Sequence, residues 1–128
     1  MLAALVLAGC ASSGDNLTYV SDRDGSEQAY PANYRTDLLS LLRTYLNNPT
    51  GVREATVAEP VQREVGGRNR YTACVRFNAR ETDGSYKGAK ERAALFVNGR
   101  LDRLAEKTED LCKGVTYAPF PELEKLTR

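Results

Sequence analysis

Residues 70–80 read Arg-Tyr-Thr-Ala-Cys-Val-Arg-Phe-Asn-Ala-Arg, with apolar and polar side chains alternating along the whole stretch. Because successive side chains of a strand point to opposite faces, this alternation predicts a β-strand. One predicted face is apolar and comprises Tyr71, Ala73, Val75, Phe77 and Ala79. Cys74 belongs to the other face, among polar and charged residues, so we expect it to lie opposite the main core.

An amphipathic helix is predicted before this strand. In residues 34–46, apolar side chains follow the i, i+4, i+7, i+8, i+11 spacing of one helical face: Tyr34, Leu38, Leu41, Leu42 and Tyr45. Asn33 is a residue type favoured at the N-cap, and the stretch Asn47-Asn48-Pro49-Thr50-Gly51 ends the helix. We expect the helix to pack on the apolar face of the 70–80 strand.

The rest of the chain predicts short strands joined by turns, with further strands over 52–61, 91–97 and 100–105. Asn98-Gly99 is typical of a two-residue hairpin turn, because such a turn needs residues that tolerate positive φ. Residues 117–121 form an extended apolar segment, followed by a short C-terminal helix or tail. One helix before about four antiparallel strands predicts an α+β fold, with the N-terminal helix covering one face of the sheet.

The N-terminal residues carry a second pattern. An apolar run from Met1 to Ala8 is followed by Gly9, Cys10 and a polar stretch. The sequence Leu7-Ala8-Gly9-Cys10 in this setting resembles the lipobox of bacterial lipoproteins. That resemblance implies removal of residues 1–9 as a signal segment and attachment of acyl chains to Cys10. No Lys or Arg precedes Gly9, so we expect the basic start of an export signal to lie upstream of Met1.

The lipobox resemblance sets the expected organisation of the chain. Residues 10–32 are the lipidated cysteine and a polar, turn-rich tether, and residues 33–128 are a single domain. Two or more acyl chains hold a protein firmly on a membrane, so no spanning helix is needed. In lipoproteins of enteric bacteria an Asp after the cysteine is a retention signal for the inner membrane. The Ala11 found here favours the outer membrane, with the domain facing the periplasm.

Two cysteines remain once Cys10 is assigned to the lipid. In an oxidising periplasm, Cys74 and Cys112 predict one disulfide, although two separately buried thiols are the alternative. A closed loop of about 38 residues would stabilise the fold by roughly 4 kcal/mol. The chain after the last strand would then have to reach the second sheet face. We expect residues 117–120 to lie there, over the stems of Arg70 and Arg76.

The composition excludes several classes of function. The chain has 18 basic and 17 acidic residues, a formal charge of +1, which argues against a nucleic-acid binder. It contains no His, which excludes Ser-His-Asp and Cys-His nucleophiles and His-ligated zinc or haem. We therefore predict that the protein is not an enzyme and needs no metal or other cofactor, with carboxylate-based catalysis as the weakest alternative.

A candidate binding face comprises basic residues and a loop aromatic: Arg70, Arg76, Arg80, Tyr86 and Lys87. Basic side chains beside an aromatic suit a protein partner or an anionic envelope polymer. Lys90 and Arg92 follow the same stretch. The alternative is a solvated face balanced by nearby carboxylates, with Tyr86 packed in the core.

The chain after Cys10 also resembles a group of small alphaproteobacterial lipoproteins. The resemblance rests on residues 45–52 (Tyr-Leu-Asn-Asn-Pro-Thr-Gly-Val), 74–80 (Cys-Val-Arg-Phe-Asn-Ala-Arg) and 117–121 (Tyr-Ala-Pro-Phe-Pro). That group has no established activity, so the resemblance implies no functional residues. We predict a lipid-anchored, non-catalytic envelope protein that binds a protein partner or an envelope polymer. The alternative is a small-ligand binder with a pocket between helix and sheet.

Overall fold

The computed structural model describes residues 27–128, and β-strands dominate them. In chain order the elements are α1 (Tyr34–Tyr45), β1 (Arg53–Ala58), β2 (Val61–Val65), β3 (Arg68–Asn78), β4 (Lys90–Val97), β5 (Arg100–Ala105), β6 (Tyr117–Pro119) and α2 (Pro121–Glu124). All six strands belong to one antiparallel sheet in the order β5-β4-β3-β1-β6. β2 pairs with the first half of β3, on the same edge of β3 as β1.

The predicted fold class, an α+β domain with a helix on about four strands, is wrong. The described residues form a strand-rich, six-stranded sheet with low helix content, and α1 is their only helix longer than a single turn. The predicted 52–61 strand ends at Ala58, just before Pro60, which cannot donate to a strand ladder. Residues 61–65 then pair with β3 as β2, and Tyr117–Pro119 pairs with β1 as β6.

The main core lies on the sheet face predicted from the alternation of β3. Ala73, Val75 and Phe77 pack in one cluster with Leu38 and Leu42 of α1, both of which are fully buried. The predicted inner face of β3 is therefore confirmed. The buried face of α1 is shorter than predicted, because Tyr45, the last residue of the helix, is 43% exposed. Asn33 occupies the N-cap position but makes no side-chain capping hydrogen bond.

Cys74 lies on the opposite face and forms a disulfide with Cys112, which confirms the predicted pairing; their Cα atoms are 5.9 Å apart. The segment that crosses this face is 106–116, between β5 and β6. Arg63 of β2 fixes it, because its guanidinium donates to the carbonyls of Leu111 at 3.1 Å and Lys113 at 2.6 Å. The expected cover from 117–120 is correct only for Tyr117, which packs on this face, since Phe120 is fully buried in the main core instead.

Residues 27–32, the last part of the predicted tether, contact the sheet. The side-chain oxygen of Gln28 accepts a hydrogen bond from Asn98 N at 2.7 Å, and Tyr30 meets the ring of Tyr71 edge to face at 5.3 Å. Asn98 and Gly99 have φ values of 53° and 82°, which confirms the predicted hairpin turn between β4 and β5. Cys10, the predicted signal segment 1–9 and the predicted tether residues 11–26 lie outside the described residues.

Candidate functional site

An open cleft of about 300 Å³ lies where the C-terminal end of α1 meets the end of the sheet formed by β3 and β4. Leu46, Phe77 and Ala79 contribute apolar groups to its wall. Its charged lining residues are Arg80, Glu81, Lys90 and Arg92. Tyr45, Asn47, Asn48, Thr82 and Gly88 complete the lining.

Local sequence explains why α1 stops at this cleft. The helix ends at Tyr45, and the Asn48 side chain then closes a turn by accepting hydrogen bonds from Thr50 N at 3.2 Å and Thr50 Oγ1 at 2.6 Å. Asn side chains favour such turns over helix because they bond nearby backbone groups. The turn leaves Leu46, Asn47 and Asn48 at the cleft.

The β3–β4 loop, residues 79–89, forms the other side of the cleft and is tied to the chain before β1. Tyr86 donates a hydrogen bond to the carbonyl of Gly51 at 2.6 Å, and the guanidinium of Arg53 lies 3.8 Å from the Tyr86 ring centroid. Within the loop, hydrogen bonds from the side chain and backbone N–H of Ser85 lower the pKa of Asp83. These contacts hold the charged rim of the cleft in place.

Arg92 is the least exposed cation of the cleft, with 19% of its side chain accessible. Its buried Nε atom makes no hydrogen bond within the described residues. The carboxylate of Glu106, which is 70% exposed, lies 4.0 Å from Nε and also accepts a hydrogen bond from the Tyr45 hydroxyl at 3.3 Å. The positive charge of Arg92 is thus matched by one loosely placed, solvated carboxylate.

The five residues of the predicted binding face lie in two separate places. Arg80 lines the cleft, forms a β-bridge with Tyr86, and is followed in the same loop by Lys87. Arg70 and Arg76 instead lie on the disulfide face of β3, where Arg70 is buried and Arg76 pairs across strands with Glu91. Arg70 lies near the start of β3 and Arg80 lies beyond its end, so the two residues are at opposite ends of this strand.

Arg92 was named from the sequence beside the candidate basic face, but it was not placed on the core-facing side of a strand. Arg92 pairs in register with Val75 and alternates with the buried residues Ala94 and Phe96, so it projects from the core-facing side of β4. A cation on the apolar face of a strand is the sequence signal that marks this site, because such positions are normally apolar.

A separate polar cluster on the disulfide face joins three parts of the chain. The carboxylate of Glu91 in β4 accepts a short hydrogen bond from the Tyr117 hydroxyl and another from Thr108 Oγ1, the latter at 2.7 Å. Burial, and then the contact with Glu91, raises the pKa of the Tyr117 hydroxyl well above its usual value. The cluster fixes β6 and the 106–116 segment to the sheet.

Within the part of the chain that the structure describes, no three His, Cys, Asp or Glu side chains are grouped to hold a metal ion, and no helix is long and apolar enough to cross a bilayer. No protein-family model matches the chain, and neither the curated proteins nor the solved structures include a significant match.

Proposed function

We propose that the protein is a non-catalytic, lipid-anchored component of the bacterial cell envelope whose folded part faces the periplasm and binds a ligand. The Cys74–Cys112 disulfide carries this proposal, because structural disulfides form and persist in oxidising compartments such as the periplasm. The lipobox-like sequence Leu7-Ala8-Gly9-Cys10 supplies the anchor. Ala11, in place of Asp, supports the outer membrane as the destination.

The proposed role is binding rather than catalysis. The absence of His from the sequence removes the commonest general base and nucleophile partner, which supports a non-catalytic role. The predicted basic residues lie in two places, so they do not form one basic surface for a protein partner or an envelope polymer. The cleft beside α1 favours a small ligand, because ligand pockets are concave and combine apolar walls with a few polar groups.

Fractionation of bacterial cells that express the full chain behind a basic export leader tests the anchor. We expect the wild-type protein to sediment with membranes and to be released by detergent but not by high salt, since acyl chains hold it by apolar burial. The Cys10→Ser variant should leave the membrane fraction. Ser12→Ala, two residues further on, is the matched control and should behave as wild type. Membrane retention of Cys10→Ser equal to that of the wild type would contradict the proposal.

A further inference from the structure

We propose that the cleft between the end of α1 and the β3–β4 loop binds a small organic anion, namely a carboxylate carried on a compact apolar group. This inference rests on the proposed binding role and names the chemical class of its ligand. Three properties of the cleft support it: its charge, its apolar wall and its size.

The charge of the cleft favours an anion. Three cations, Arg80, Lys90 and Arg92, line it together with one carboxylate, Glu81. Even with the neighbouring Glu106 included, positive charge exceeds negative charge by one. Arginine presents a planar set of donors that matches the two oxygens of a carboxylate, and partial burial strengthens the attraction.

Glu106 indicates the kind of anion that suits the Arg92 guanidinium and the Tyr45 hydroxyl. Its carboxylate lies beside Arg92 Nε at 4.0 Å and accepts a hydrogen bond from the Tyr45 hydroxyl at 3.3 Å. Both distances are long for strong contacts, and most of the Glu106 side chain is in solvent. A ligand carboxylate would therefore find donors already arranged for this group and would compete with only a weakly held one.

The apolar wall and the volume of the cleft indicate the polarity and the size of the rest of the ligand. Leu46, Phe77 and Ala79 line the cleft, and Phe77 belongs to the main core, so this wall is rigid. A volume of about 300 Å³ corresponds to about ten water molecules, and hence to a ligand of about ten non-hydrogen atoms. Phenylacetate has this size and combines a carboxylate with an apolar ring.

Titration of the ¹⁵N-labelled full chain in detergent, followed by backbone amide NMR shifts, tests the inference with three probes. Phenylacetate carries both features, phenylacetamide only the ring, and acetate only the charge. We expect phenylacetate to bind with a dissociation constant of about 1 mM and to shift the amides of Asn47, Ala79 and Gly88. The other two probes should bind at least about tenfold more weakly, because each lacks one of the two contacts.

Three variants then test the charge argument. Lys90→Gln removes an exposed cation of the cleft and should weaken phenylacetate binding about two- to fivefold. Glu106→Gln removes the competing carboxylate and should tighten binding about two- to fivefold. Lys125→Gln, on an exposed residue next to α2 and outside the cleft, is the matched control and should leave the affinity unchanged.

Several results would overturn the inference. Equal binding of phenylacetamide and phenylacetate would show an apolar pocket without anion selectivity, and shifts confined to residues outside the cleft would show another site. The absence of any shift at ~20 mM phenylacetate, about twenty times the expected dissociation constant, would exclude this ligand class. None of these results depends on Cys10, so they are distinguishable from failure of the proposed membrane anchor.

Discussion

Glu91 connects three parts of the chain through one side chain. Its carboxylate projects from β4 on the disulfide face and accepts hydrogen bonds from Tyr117 in β6 and from Thr108 in the 106–116 segment. Hydrogen bonds to a charged group are about twice as strong as those between neutral groups, so Tyr117 is a strong contact of this face.

Tyr117→Phe tests this contact. We expect the variant to lose about 1–2 kcal/mol of unfolding free energy at neutral pH, because Glu91 loses one of its two donors. Tyr45→Phe removes a hydroxyl that also bonds a glutamate, but from a side chain that is 43% exposed, and should cost less than about 0.5 kcal/mol. Urea denaturation measures both changes, and equal losses in the two variants would contradict the account.

Tyr117 also makes the stability of the fold depend on pH in the alkaline range. The folded protein holds the pKa of Tyr117 above its ordinary value of 10.0, so the folded state keeps the proton more tightly than the unfolded state does. This contribution is fully present below pH 10.0 and is lost as pH rises from there through the folded pKa. Tyr117→Phe should therefore lose stability less steeply than the wild type above pH 10.0.

Single residues differ in how well the sequence predicts them. Cys74 and Cys112 were predictable as a pair, because two cysteines remain after Cys10 and the alternation of β3 places Cys74 away from the core. The contact of Tyr86 with Gly51 was not predictable, because it depends on how the 79–89 loop folds back on the chain before β1. For the same reason, Arg80 and Arg92 could not be placed in one cleft before the structure was known.

At the scale of elements, local chemistry explains the correct predictions. The turn at Asn98-Gly99 and the strand Arg100–Ala105 follow from side-chain alternation and turn residues, which act over a few positions. β2 was missed because Val61–Val65 carries Gln62, Arg63 and Glu64, which indicate a polar loop when read alone. Pairing with β3, and the two bonds from Arg63 to the 106–116 segment, make this stretch a strand.

The 106–116 segment depends on the disulfide that holds it to the sheet. We expect the double variant Cys74→Ala/Cys112→Ala to lose about 4 kcal/mol of unfolding free energy, because the bridge closes a loop of 38 residues and restricts the unfolded chain. Cys10→Ser also removes a cysteine but leaves the bridge, so it should unfold as the wild type does. Urea denaturation under oxidising conditions measures the difference, and an unchanged midpoint in the double variant would refute this role.

At the scale of the whole molecule, different parts of the chain cover the two faces of one sheet. α1, Phe120 and Leu123 cover the main core, and the 106–116 segment covers the disulfide face. The predicted number of strands, about four, is wrong, because the sheet has six. β6 has three residues and exists only through hydrogen bonds to β1, far earlier in the chain, so no local pattern reveals it.

The central proposal is an oxidised, disulfide-bonded domain carried on a lipidated Cys10. The intact mass of the protein extracted from membranes tests it most directly, because one spectrum reports the cleavage point, the acyl chains and the disulfide. We predict a chain that begins at Cys10, carries the added mass of acyl groups and lacks two hydrogens for the Cys74–Cys112 bridge. A mass that retains residues 1–9, without acyl groups and with both thiols reduced, would contradict the account.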